Sequence, residues 1–266
     1  MKRGIIHLVL PLVCVVFGVR CSTFVIEQGK TGAGHAADIN SSIDPKLLVQ
    51  RSLDAYGVAG LAGGLKTMRL ESTITTYDKD GNPTKGHAVE DYRFPDKVRA
   101  DIDIGTRKIT QLYDGLDAWT IKGVQRTKGP DFIAEGRRRS IKHIPILLLH
   151  GAMDDRSILS VVVADTLDNR SVLVLNLTDV EGDQSRLWFD AETFLLVRLD
   201  YTLYSSLGAI PVRVMMGRYR AFDGIQTATR VLFYYRDELV QESRVIDARY
   251  NPEISEKLFS LPAGNQ

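Results

Sequence analysis

From Leu65 to Arg249 apolar and polar residues alternate in short runs, broken at intervals by turn residues. Met68, Leu70 and Ile74 alternate with Arg69, Glu71 and Thr73, and Val98, Ala100 and Ile102 with Arg99, Asp101 and Asp103. Leu195, Val197, Leu199, Tyr201 and Leu203 do the same against Arg198, Asp200 and Thr202. A period of two buries one face of a strand and leaves the other in water, as antiparallel sheets allow. The pattern predicts strands over Lys66–Tyr77, His87–Phe94, Lys97–Ile104, Lys108–Tyr113, Ser171–Thr178, Leu195–Tyr204, Val212–Phe222, Arg230–Arg236 and Val240–Ala248. Asp80-Gly81, Asp114-Gly115, Glu181-Gly182 and Asp223-Gly224 stand between several of them and signal hairpins or tight loops. Strands joined in this way make one continuous sheet, and a sheet this long must curl to bury its apolar face. The apolar sets are expected to point into one shared concavity, with Arg69, Asp101 and Arg198 outside.

Two segments leave the β rhythm. Asp44 can cap a helix that Pro45 begins and Gly57 ends, with Leu47, Leu48, Leu53 and Tyr56 near one face. Pro130–Gly151 carries Phe132, Ile133, Ile141, Ile144 and the run Ile146–Leu149 among Arg137, Arg138, Arg139, Lys142 and His143. Helical spacing gathers apolar residues on one side and leaves the basic ones outside. Pro145 divides this segment into two short helices joined by a bend.

Composition changes the picture only at the N-terminus. Of 266 residues, 44% are hydrophobic and 25% charged, an ordinary globular balance. Lys2 and Arg3 precede an apolar stretch, Gly4 to Gly18, which reads as a signal peptide and is short for a membrane span. The expected organisation is a signal peptide over residues 1–21, a flexible spacer over 22–43 rich in small and polar residues, and one domain over 44–266. Cys14 and Cys21, the two cysteines of the chain, fall in or beside the signal, so the body has no disulfide framework. Lipidation at Cys21 is disfavoured because Arg20 precedes it. Removing residues 1–21 takes three basic residues and no acidic one, which lowers the formal charge from +1 to about −2 and favours no nucleic-acid partner.

Candidate chemistry is sparse. No nucleophile elbow, phosphate loop or dinucleotide fingerprint appears, and His143 and His150, seven residues apart with Pro145 between them, make a poor metal pair. Paired carboxylates such as Glu90 with Asp91 or Asp101 with Asp103 read as solvated strand faces. Arg137–Arg139 reads as a wet helix face, with a docking patch for an anionic membrane or acidic partner as the sharper alternative. No catalytic group, cofactor or metal is expected.

Two stretches together resemble a known family. One is Tyr92-Arg93-Phe94-Pro95-Asp96-Lys97-Val98-Arg99, followed by Tyr113-Asp114-Gly115-Leu116-Asp117-Ala118-Trp119; the other is Tyr250-Asn251-Pro252 leading to Leu258-Phe259-Ser260-Leu261-Pro262-Ala263-Gly264. Their order and spacing are similar to those of the periplasmic outer-membrane lipoprotein-sorting proteins, the lipoprotein-carrier and lipoprotein-receptor superfamily. The resemblance implies a mainly β fold with few helices: a half-open antiparallel β-barrel, a single curled sheet, closed by a helical lid over an apolar cavity. The lid would be the 44–57 helix plus the 130–151 segment. A carrier of this family ties its lid with an arginine just before the strand-end proline. Here Phe94 holds that place, and Arg93, the candidate latch, should face the opposite side.

The function so implied is that of an exported, non-catalytic carrier holding acyl chains of a lipid or lipoprotein for transport or sorting in the periplasm. Leu70, Ile74, Val98, Ile102, Trp119, Val197, Leu199 and Tyr201 are the candidate cavity residues, with Ile144, Leu147 and Leu148 from the lid. Expected partners are lipid or lipoprotein acyl chains, envelope transport or receptor proteins and a membrane surface, with the protein itself a monomer. The alternative is an envelope assembly protein that clasps a peptide with the same barrel.

Overall fold

A computed structural model describes residues 43–61, 64–205 and 208–261. The signal peptide, Cys21 and all but the last residue of the spacer lie outside the described residues.

Helix α1 spans Pro45–Tyr56. The Asp44 carboxylate accepts a hydrogen bond from the Leu47 amide, which satisfies one of the orphan donors at a helix start. Gly57 ends the helix in the left-handed conformation, at φ +77°, and a side chain there would press to 2.5 Å from the Gly224 carbonyl oxygen. Leu48, Val49, Leu53 and Tyr56 are buried, whereas Leu47, expected on the same face, is exposed.

Six strands follow: β1 (Thr67–Tyr77), β2 (Pro83–Arg93), β3 (Lys97–Ile104), β4 (Arg107–Tyr113), β5 (Ala118–Lys122) and β6 (Gln125–Lys128). Helices α2 (Asp131–Ile141) and α3 (Pro145–Ala152) come next, divided at Pro145. The chain then forms β7 (Ile158–Leu167), β8 (Arg170–Thr178), β9 (Gln184–Asp190), β10 (Leu196–Ser205), β11 (Gly208–Phe222), β12 (Ile225–Tyr235) and β13 (Glu238–Tyr250).

All thirteen strands belong to one antiparallel sheet, in the order β6-β5-β4-β3-β2-β1-β13-β12-β11-β10-β9-β8-β7. The path begins in mid-sheet at β1, meanders outward to the edge strand β6, crosses through α2 and α3 to the opposite edge at β7, and meanders back until β13 pairs with β1. The helices therefore span the two ends of the sheet. Helix α2 contacts both β5 and β10, and α1 contacts α3, β7 and β12. This is the half-open barrel with a helical cover that the sequence motifs imply.

The predicted turns hold. Each of the four acidic-residue–glycine pairs connects neighbouring strands, and Asp78, Asp114 and Asp179 accept backbone hydrogen bonds within their own turns. The sequence-stretch motifs have a mechanical role as well. Asn251 accepts from the Lys66 and Thr67 amides at 2.7 and 3.2 Å, which anchors the C-terminal strap, and Phe259 at its far end packs on Leu112 outside the sheet.

Charges on the outer face pair along and across strands. Arg69 grips Asp91 through two hydrogen bonds of 2.7 and 2.8 Å, and Arg99 and Arg198 hold Asp101 and Asp200 on their own strands. Asp91 is buried by this arrangement and is not the solvated carboxylate expected from sequence.

Candidate functional site

The inward side chains form three packed groups. One joins α1 and α3 to β8–β12, with Leu48, Val49, Leu149, Leu175 and Leu187 fully enclosed. A second seats α2 on Met68, Tyr92, Val98, Tyr113 and Ala118. The third, Ile74, Ala88, Ala100, Ile102 and Ile104, fills the far end of β1–β3. Between the first two a cavity of about 180 Å³ remains, walled by β1, β2 and β10–β13 and covered by Ser140 to Ile146 of the lid. Its wall is mostly apolar and includes Met68, Leu70, Val214, Met216, Val231 and Phe233. Val231, Phe233 and Val245 are only half-buried, so the cavity is less covered along β12 and β13.

Polar groups interrupt this wall at defined places. Tyr56 donates to the Tyr219 hydroxyl at 2.9 Å, and Tyr219 donates onward to the Leu196 carbonyl at 2.6 Å, which ties α1 to the sheet. Glu90 lies inward between Ala88 and Tyr92, and one of its carboxyl oxygens accepts from the Tyr92 hydroxyl at 3.1 Å. Burial pushes the Glu90 carboxyl up to about 7, with the Tyr92 hydrogen bond and the Arg137 charge offsetting part of the rise. Sequence suggests a solvated Glu90, whereas its period-two partners Ala88 and Tyr92 are the signal that it faces inward.

His143 hangs from the bend between α2 and α3. Its ring stacks on Tyr201, with centroids 3.8 Å apart, and Nδ1 donates to the Arg139 carbonyl at 2.8 Å. Burial holds its pKa down at about 4, so the ring is neutral, and with Nδ1 protonated Nε2 is an acceptor. His143 is partly buried and lines the cavity. Among the described residues no group of three His, Cys, Asp or Glu could hold a metal ion.

The lid is fastened by charge. Arg138 makes a bidentate contact with Glu181 at 2.8 and 2.9 Å, and Arg139 meets Asp183 at 2.6 Å. Lys142 stands within 2.7, 3.1 and 2.6 Å of Asp179, Glu181 and Asp183, all on the β8–β9 turn. Arg137 turns the other way. It is buried, not on the wet face, and hydrogen-bonds Gln111 of β4. The three arginines read as one surface patch therefore divide between an inward anchor and an ion-pair network.

The predicted cavity residues separate by location. Leu70, Leu199, Tyr201 and Ile144 line the cavity. Val98, Ile74 and Ile102 face the same way but are sealed in neighbouring clusters. Leu147 packs with the Met68 group and Leu148 with the α1–α3 group, so both hold the lid down without bordering the cavity.

Trp119 and Val197 depart from the expectation. Trp119 pairs with Leu112 and packs beneath the C-terminal strap, because alternation in β5 sends its neighbour Ala118 inward. Val197 lies at a bulge between Leu196 and Arg198, which shifts the alternation and places it with Val172, Val174 and Trp188 outside the main core. Arg93 is no lid latch. It donates to the Ile254 carbonyl at 2.6 Å and pairs with Glu256 at 2.7 Å, holding the strap.

A lidded, incompletely closed antiparallel barrel around an apolar cavity defines the class to which this protein belongs by fold. Among solved structures, the chain is similar to a LolA superfamily protein from Nitrosomonas europaea, at 13% identity and TM-score 0.55, over 83% of this chain and 99% of that one. It is also similar to a DUF1329 family protein from Desulfovibrio piger, at 16% identity and TM-score 0.53, over 82% and 98% of the two chains. The fold is thus that of the LolA superfamily, as the sequence motifs imply. No family model and no curated protein sequence matches the chain.

Proposed function

We propose that this protein is an exported, non-catalytic carrier that holds the apolar chain of a lipid, or of a lipid-modified protein, within the periplasm. The observation that supports it is the apolar cavity between the curled sheet and the lid. At about 30 Å³ for a water-sized group, a volume of 180 Å³ admits roughly six methylene-sized units with the lid in place. Each buried methylene contributes about 0.8 kcal/mol, so such a segment supplies about 5 kcal/mol before the costs of binding. Longer chains would extend past the half-buried residues of β12 and β13. Export rests on Lys2, Arg3 and the apolar stretch that follows them.

Mass spectrometry of an organic-solvent extract of protein purified from envelopes tests the reading. Recovered lipid, together with displacement of a neutral fluorescent probe by alkyl chains, is the expected result. A clean extract and no displacement would refute it.

The peptide-clasping alternative finds its support elsewhere, at the edge strand β7. Ile158 and Val163 are exposed there, and an edge strand can accept an added strand.

A further inference from the structure

Two buried polar side chains on the cavity wall lack a protein partner for part of their hydrogen-bonding capacity. Glu90 is 9% exposed and Ser72 5% exposed, and both border the cavity. Leu70 stands opposite Glu90 and Ser72 opposite Ala88, so Glu90 and Ser72 are diagonal neighbours on adjacent strands, pointing the same way. Tyr92 occupies one Glu90 oxygen; the other, and the Ser72 hydroxyl, have no protein hydrogen bond among the described residues. A carboxyl set into an apolar wall is a costly feature unless something donates to it.

We propose that Glu90 and Ser72 form a subsite that selects an apolar chain bearing a hydrogen-bond donor and no negative charge, such as a hydroxyl or an amine. This rests on the carrier reading above and names the ligand chemistry within it. The donor bonds the available Glu90 oxygen while Ser72 bonds the donor's own oxygen or nitrogen. When Glu90 is ionised, a fatty-acid carboxylate meets like charge that Arg137 only partly offsets, and it binds weakest. An ether of the same length fits the volume but leaves the acceptors unmet.

The test is displacement of N-phenyl-1-naphthylamine by 1-octanol, heptyl methyl ether (an ether with the same number of heavy atoms) and octanoate at pH 8.5, where the Glu90 carboxyl is ionised. In the wild-type protein octanol should bind about tenfold or more tighter than the ether, with octanoate weakest, as a hydrogen bond to a charged acceptor predicts. In Glu90→Leu the alcohol and the ether should fall within about twofold of each other. Equal affinity of the alcohol and the ether in the wild type overturns the subsite, as does a gap that survives in Glu90→Leu. The wild-type comparison decides alone if that variant does not fold. Failure of the probe and all three ligands to bind overturns the carrier reading itself.

Discussion

Replacing Lys142 with methionine tests whether charge holds the lid. The ammonium lies within 2.6–3.1 Å of three carboxylates, and its side chain is 25% exposed. Asp179 and Asp183 are 18% and 14% exposed. An exposed ion pair contributes about 0.2–1 kcal/mol, and removing one member of a buried pair costs more, because the remaining charge keeps its desolvation penalty. Asp179 would lose its ion-pair partner while Arg138 and Arg139 still hold Glu181 and Asp183, which should weaken lid closure by about 2 kcal/mol, intermediate between those limits. At 1.4 kcal/mol per factor of ten, that shifts the lid equilibrium by about 30-fold.

No strand pairing passes through Lys142, so the loss should fall on the lid more than on the sheet. Stopped-flow release of a preloaded neutral probe reads this directly, with release about 30-fold faster in the variant at low salt. Wild-type release should approach the variant's as salt rises, since screening shortens to about 3 Å at 1 M. Release rates within twofold at every salt concentration, with only the melting temperature lowered, would show that the network stabilises the fold without gating the cavity.

Acid should loosen the same latch. The Arg138 hydrogen bond holds the Glu181 carboxyl at about 2; burial raises Asp179, but Lys142 and backbone donors outweigh it, so Asp179 lies below its ordinary value. A depressed carboxyl contributes stability above its unfolded pKa near 4 and loses it as pH falls through the folded value. Probe release should therefore accelerate from about pH 4 toward 2, with protonation of the partly buried His143 near pH 4 adding the same increment to both proteins, and less so overall in Lys142→Met; equal acceleration in both proteins would count against the latch. Glu90 has the opposite sign. Its raised pKa means wild-type stability falls relative to Glu90→Gln as pH rises from about 4.5 to about 7, by at most about 3 kcal/mol, with Tyr92 and Arg137 facing the site in both proteins. Urea unfolding of the pair at pH 4.5 and pH 8 measures this, and a pH-independent difference would contradict it. Gly57→Ala should cost roughly 1–2 kcal/mol or more, from the left-handed backbone and the approach to the Gly224 carbonyl; unchanged thermal unfolding would refute that account.

Local physics made much of this protein legible in its sequence. The period of two along β1, β3 and the part of β10 from Leu199 onward, the acidic-residue–glycine turns and the Asp44-Pro45 start of α1 depend on neighbours within a few residues, so they could be read in one dimension. The division of the lid at Pro145 is of the same kind. Pattern also separates Glu90 from Asp91 by face, although carboxylates on strands invite the reading that both are wet.

Other features depend on residues far apart in the chain. The bulge that turns Val197 outward arises from pairing between β9 and β10 and interrupts a run that looks regular in sequence. Trp119 is covered by a strap whose Ile254 lies more than a hundred residues later, and Arg93 is taken by the same strap. The division of labour among Arg137, Arg138 and Arg139 follows from where β4 and the β8–β9 turn approach α2. Sequence determined that an amphipathic sheet and a mixed apolar-basic helix pair would form. Tertiary structure decided which acids meet the basic residues and which acid is sealed in the cavity, because Coulomb forces and desolvation depend on distance through space.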